Sequence, residues 1–270
     1  MKKLARITAF SSSLLLGAVL ALTGASAVSA AESAAAVDYV ALGDSYSSGV
    51  GSGGYDSASG ACKRTPRAYP ALWAAAHSPT TFAFTACAGA RTGDVTAGQL
   101  GPLSSATDLV SISIGGNDAG FSDVMTVCVL QSESACLNRI AQARAFVDAT
   151  LPGSLDTVYT AIRSKAPSAR VVVLGYPRFY QLKGTCVGGL SEAKRTAINS
   201  ASDYLNDATA KRAADHGFTF AGVSGAFTGH EICSSASWLH SLNVLDIGES
   251  YHPTAAGQAN GYLPVFTSAA

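Results

Sequence analysis

Four short segments carry side chains that together could attack a carbonyl. In "GDS", Ser45 stands directly after a short apolar run, where a strand would end and the chain turn sharply. A serine hydroxyl is a weak nucleophile unless a base accepts its proton and donors receive the oxyanion that forms. His252, in "ESYHPTAAGQ", could be that base, with Glu249 three residues earlier. The run Gly115-Gly116-Asn117-Asp118 offers the Asn117 side-chain N–H beside glycines that permit close approach, and "ACAGAR" offers the Gly89 backbone N–H. Each residue alone has a duller reading, as turn, packing or capping residue. Their recurrence after successive strands is what gives the set weight.

Residues 40–54, "VALGDSYSSGVGSGG", also fit a phosphate-binding reading, because Gly49, Gly51 and Gly54 match G-x-G-x-x-G. That fingerprint needs a helix straight after the glycines and an acidic residue ending the second strand. The chain continues instead with "YDSASGACKRTPRAYP", and the second strand runs into "TFAFTACAGA" with no carboxylate. The glycines are therefore expected to form a flexible rim, and no nucleotide cofactor is expected. The strict G-x-S-x-G elbow also fails, since Ser47 replaces its second glycine. Ser45 thus does not sit in the ordinary α/β-hydrolase turn.

The elements that must position these residues alternate. Apolar, β-rich runs at 37–42, 80–85, 109–114, 170–177 and 218–223 predict five strands. Helical patterning covers 69–77, 93–100, 134–165 with a break at Pro152, and 255–262; a further helix opens at a Ser191 N-cap and stops near His216. Apolar runs that do not alternate imply a parallel sheet covered on both faces. In such sheets ligands bind beyond the C-terminal strand ends, where Ser45, Gly89 and Asn117 would lie. His77 and His216 fall near helix C-termini, favourable places for a cation, while His230 and His240 lie in the loop region around Cys233 and could face the site.

Composition narrows the setting. Lys2, Lys3 and Arg6 precede an apolar stretch and then Val28-Ser29-Ala30, the pattern of a secretory leader over residues 1–30, followed by one domain over 31–270. Without those three cations the chain carries 15 Lys and Arg against 18 Asp and Glu, which excludes a broad basic surface for nucleic acid. Cys62, Cys87, Cys128, Cys136, Cys186 and Cys233 all follow the leader, so three disulfides are expected in an extracellular protein. Fifteen pairings are open on number alone, with Cys128 and Cys136 natural neighbours. Zinc is a poor alternative, because neither C-x-x-C nor H-x-x-x-H occurs.

Taken together, "GDSYSSG", the Gly89 region, "GGND" and "YHP" resemble the blocks of the SGNH (GDSL) hydrolase family, and within it the secreted actinobacterial lipases and phospholipases A1. The resemblance implies a three-layer α/β/α, flavodoxin-like fold with a five-stranded parallel sheet. It also implies an acyl-enzyme at Ser45, an oxyanion hole of Ser45 N–H, Gly89 N–H and Asn117, and His252 as base. It pairs the cysteines in order, as Cys62–Cys87, Cys128–Cys136 and Cys186–Cys233. The substrate would be a lipid ester or phospholipid, met through transient contact with lipid surfaces by a monomer, with no metal or organic cofactor. One departure matters: many members have Asp three residues before the histidine, and this chain has Glu249. Either Glu249 or the Ser250 backbone carbonyl would then orient the imidazole, and the carbonyl is the favoured choice. A small-ester esterase, a polysaccharide deacetylase and a non-catalytic binding module on the same fold are the rival expectations.

Overall fold

The computed structural model describes residues 37–183, 186 and 189–270; the expected leader lies outside them. Five parallel strands form one sheet in the order β2-β1-β3-β4-β5, with β1 Asp38–Gly43, β2 Thr81–Phe84, β3 Leu109–Ser113, β4 Arg170–Leu174 and β5 Thr219–Ala221. From β1 the chain steps outward to β2 and then crosses back to β3, so β1 and β3 flank the point where strand order reverses. Their register pairs Gly43 with Ser113, which brings both C-terminal ends level. A crevice opens there by topology alone.

Successive residues in a strand face opposite sides, and here both sides are apolar. Tyr39, Ala41, Val172 and Leu174 pack into one core, with α2 (Tyr69–His77), α4 (Phe121–Leu130), much of α5 (Glu133–Ala149) and α8 (Leu263–Ala269). Val40, Leu42, Val110, Ile112 and Val173 pack into the other, chiefly against α6 (Leu151–Lys165). The helix α7 (Glu192–Asp215) contributes Ile198 to the first core and Ala213 to the second. Complete burial of a side chain such as Ile112 contributes about 1.5–3 kcal/mol. The three-layer expectation holds.

Local chemistry sets the ends of the elements. Ser191 caps α7, its Oγ accepting from Lys194 N. The expected 134–165 helix divides at Thr150, and Pro152 falls in the first turn of α6, where its missing N–H costs nothing. The last helix runs past 262 to Ala269, because Pro264 likewise falls in a first turn. β4 stops at Leu174 rather than 177. Asn206 takes both backbone groups of Tyr176, at 2.8 Å each, so they are lost to strand pairing. The helix α4 was not among the predicted elements, although Phe121, Val124, Met125 and Cys128 repeat at helical spacing. Bridges join Cys62–Cys87, Cys128–Cys136 and Cys186–Cys233, and the second ties α4 to α5.

Candidate active site

Gly43 ends β1 with φ +123°, and a Cβ there would lie 2.6 Å from Ser113 O. Only glycine lets the chain turn this close to β3. Asp44 then caps a single helical turn, α1 (Ser45–Ser48), its Oδ1 accepting from Tyr46 N at 3.0 Å. Ser45 is thereby raised at the mouth of the crevice as the first residue of that turn.

The carboxylate of Asp44 does more than cap. It accepts Ser113 Oγ–H at 2.7 Å and Tyr176 O–H at 2.5 Å, while Tyr176 Oη accepts Gly116 N–H at 3.1 Å. Ser47 joins Ser113 and Tyr69 at 2.8 and 3.0 Å. Buried polar groups must be hydrogen-bonded to be tolerated, and this network locks the Ser45 turn to the Gly115–Asn117 segment. Burial raises the Asp44 pKa to about 6 despite these donors.

His252 reaches the serine from the opposite side. Its Nε2 lies 2.7 Å from Ser45 Oγ, and its Nδ1 lies 3.0 Å from Ser250 O. A carbonyl can only accept, so Nδ1 carries the proton and Nε2 faces Ser45 as a lone pair. Burial pushes the imidazole pKa down to about 4. The Glu249 carboxylate makes no hydrogen bond to the ring among the described residues. Its Oε1 instead accepts Tyr55 O–H at 2.6 Å, and Tyr55 Oη accepts Gly51 N–H at 2.9 Å.

Asn117 donates one Nδ2 hydrogen to Ala90 O at 2.9 Å, which leaves the other for the crevice. Asp118 accepts from both N and Oγ1 of Thr92, the first residue of α3 (Thr92–Asp94), so the last two residues of "GGND" grip the turn that presents Gly89. The backbone N–H groups of Ser45 and Gly89 make no hydrogen bond among the described residues. Beside them a cavity of about 220 Å³ runs inward from Ser45, Asn117 and His252, walled by Phe121, Val124, Met125, Val147, Phe179 and Ile198. A nucleophile paired to a neutral base, free donors and an apolar channel suit transfer of an aliphatic acyl group.

The comparisons with known proteins agree with that chemistry. Residues 41–259 match the model of the GDSL-like Lipase/Acylhydrolase family. The chain belongs to this family. It is 70% identical over 265 residues to Lipase 1 of Streptomyces coelicolor, covering 98% of each chain. Two solved structures share 66% identity with it: phospholipase A1 of Streptomyces albidoflavus at TM-score 0.86 and an extracellular lipase of Streptomyces rimosus at 0.85. Each covers 87% of this chain and is itself covered in full.

Ser45, Asn117 and His252 line this one crevice, and Gly89 follows Ala88, which lines it too. Glu249 serves the glycine loop rather than His252. That loop is no loose rim over residues 49–52, which are buried; a Cβ on Gly51, at φ +90°, would lie 2.6 Å from Pro253 O. His230 turns away, its Nδ1–H donating to Ala236 O and its ring stacking on Trp238 at 3.6 Å. His240 does face the loop, its Nε2 bonding Gly51 O at 2.7 Å. His77 and His216 sit where helix ends place them, at Trp73 O and Asp156. Residue typing missed Asp44, Tyr176 and Gln258. Gln258 ties the C-terminal turn to α1 through Tyr46 O and α2 through Tyr69 N, at 2.9 Å each. A buried, many-partnered polar group gives no local signal in a single sequence.

Proposed function

We propose that the protein is a secreted serine hydrolase of lipid esters, of lipase and phospholipase A1 type, working through an acyl-enzyme on Ser45. The single observation that carries this reading is the 2.7 Å contact between Ser45 Oγ and His252 Nε2 at the head of an apolar cavity. His252 takes the hydroxyl proton as Oγ attacks the ester carbonyl. Ser45 N–H, Gly89 N–H and Asn117 Nδ2 receive the oxyanion. The tetrahedral species collapses, and Nε2–H passes its proton to the departing alkoxide. Water, deprotonated by the same nitrogen, then releases the fatty acid.

The Ser250 carbonyl at 3.0 Å supports a Ser–His dyad in which it holds the tautomer and Glu249 is a positioning residue for the loop. A carbonyl performs the orienting role of a triad carboxylate without its charge. The apolar cavity favours a long acyl group over acetyl, against the small-ester and deacetylase readings. The lipase and phospholipase relatives point the same way. A leader over residues 1–30, three disulfides and the extracellular Streptomyces rimosus lipase support export, with the rest of the chain acting as one domain and a monomer.

Fluorophosphonate labelling tests the reading. The oxidised protein labels at Ser45, Ser45→Ala does not, and p-nitrophenyl palmitate is cleaved more efficiently than the acetate. Failure of the wild type to label, or a strong preference for acetate, overturns it.

A further inference from the structure

The apolar channel that leads inward from Ser45 ends between two helices. Ala143, Arg144 and Val147 of α5 and Ile198, Ala201 and Leu205 of α7 wall it where these helices pack together. Five of the six are apolar and suit a hydrocarbon chain. Arg144 is the exception, and a cation beside a channel for methylene groups needs a physical reason.

The Arg144 side chain spans the gap from α5 to α7. Its Nη2 donates to both the carbonyl oxygen and Oγ of Ser200, at 2.9 Å each. The same guanidinium stands over the Tyr204 ring at 4.6 Å, and Tyr204 O–H donates to Asp148, one turn further along α5. Ser200 is exposed, so this bar crosses on the outer side of the helix pair. The Arg144 Nε–H is buried and meets no acceptor among the described residues. A buried donor without a partner weakens a fold, and an apolar side chain would join the helices without that cost. The bar therefore serves position rather than stability. A planar guanidinium held by two bonds and a ring face is fixed where a lysine stem would swing, which makes it a rigid end wall.

We propose that Arg144 is a specificity-determining residue that closes the acyl channel and sets the longest acyl chain the channel admits in full. The proposal rests on the lipid-ester reading and names what bounds the acyl half of that substrate. The acyl carbon is fixed by its bond to Ser45 Oγ, so a chain is measured from that atom to the bar. Up to the bar, each added methylene gains apolar contact. Beyond it, the chain must double back or leave the channel. One methylene in an apolar pocket separates substrates by about 10–200-fold, so such a stop is visible in a homologous series of esters.

The test compares wild type, Arg144→Ala and Arg144→Gln in kcat/KM on p-nitrophenyl esters from butanoate through hexanoate to palmitate, in one fixed detergent mixture. In wild type, kcat/KM should climb with chain length, peak, and decline before palmitate without falling to the level of the acetate. Arg144→Ala should raise palmitate relative to the wild-type peak ester by about tenfold, with hexanoate changed less than twofold. Arg144→Gln is shorter than arginine but keeps a polar end at the surface, which covers the case of a misfolded alanine variant. It should move the profile the same way by a smaller amount. An unmoved peak in a variant that keeps the wild-type melting temperature overturns the proposal. So does an equal loss on every ester, which would make Arg144 a fastener between helices and nothing more. A wild-type profile with no decline up to palmitate overturns it as well. Absence of hydrolysis of every ester by the wild type would instead strike the proposed function itself.

Discussion

The floor of the crevice and its rim are built on opposite principles. Under Ser45 lie polar side chains almost without exposure: Asp44 at 1%, with Ser47 and Ser113 at 0%. Each is bonded to another element, so the turn after β1 is fixed to the end of β3 and to Tyr176 beyond β4. Along the rim, Val244, Leu245 and Ile247 are apolar and largely exposed. Directional bonds hold atoms in place to within tenths of an ångström, as attack on a carbonyl demands. Burial of hydrocarbon is non-directional and grows with area, which suits chains of varied length. The polar floor and the apolar rim should therefore be separable, and substitutions should divide accordingly.

The sharpest break should come at the base. His252→Gln removes the proton acceptor at Nε2 and should lower kcat on the order of 10⁴–10⁶-fold, by analogy with loss of a catalytic histidine elsewhere. KM should stay within a few-fold, measured on p-nitrophenyl hexanoate. A loss below a hundredfold would mean that another group serves Ser45.

Acid offers the next largest effect. Burial holds the His252 pKa at about 4, below that of a free imidazole, so the base stays neutral from neutral pH down to that point. Protonation below it removes the lone pair that faces Ser45. The acid limb of kcat/KM should therefore fall about tenfold per unit below pH 4. A limb centred near pH 6.5, in the variant Asp44→Asn as well as in wild type, would show an imidazole open to water. Activity is the readout to follow, because an acid shift in stability would mix this histidine with every carboxylate.

Asp44→Asn probes the floor without emptying it. The amide keeps an acceptor for Tyr46 N and Ser113 Oγ–H at Oδ1 but presents an N–H group where Tyr176 donates to Oδ2, which should cost about 1–3 kcal/mol of stability. The Ser45 turn should loosen with it, lowering kcat ten- to a hundredfold while KM on p-nitrophenyl hexanoate stays within a few-fold. If KM rose as steeply as kcat fell, floor and rim would not be separable. Glu249→Gln should do least. Its amide oxygen can still accept from Tyr55, so kcat should change less than threefold; a loss of about 10³-fold would restore Glu249 to a triad role.

The elements were legible to different degrees. β3, "LVSIS", and β1 follow from continuous apolar runs, and α7 from its serine cap and long polar face, because these signals are local. The helix α4 was missed although its period is plain in retrospect. Ten residues wedged between a glycine turn and the Cys128–Cys136 hairpin read as easily as a loop. Ser45, Gly89, Asn117 and His252 could be named because each follows a strand end or opens a helix, places where side chains face a ligand.

The inventory was written in the chain alone: a parallel α/β sheet, a nucleophile, a base and oxyanion donors at strand termini, and six cysteines. Folding was needed to settle which acceptor meets His252 Nδ1. Glu249 and Ser250 are adjacent in sequence and both eligible there, with the carbonyl favoured, and the turn before His252 aims the carboxylate at Tyr55 and the Ser250 carbonyl at the ring. Folding also set α4 and the loop at 242–248 facing one another across a groove, more than a hundred residues apart in the chain. Local propensity reports what a residue can do. Its partner across such a separation is set by packing, which no short stretch of sequence contains.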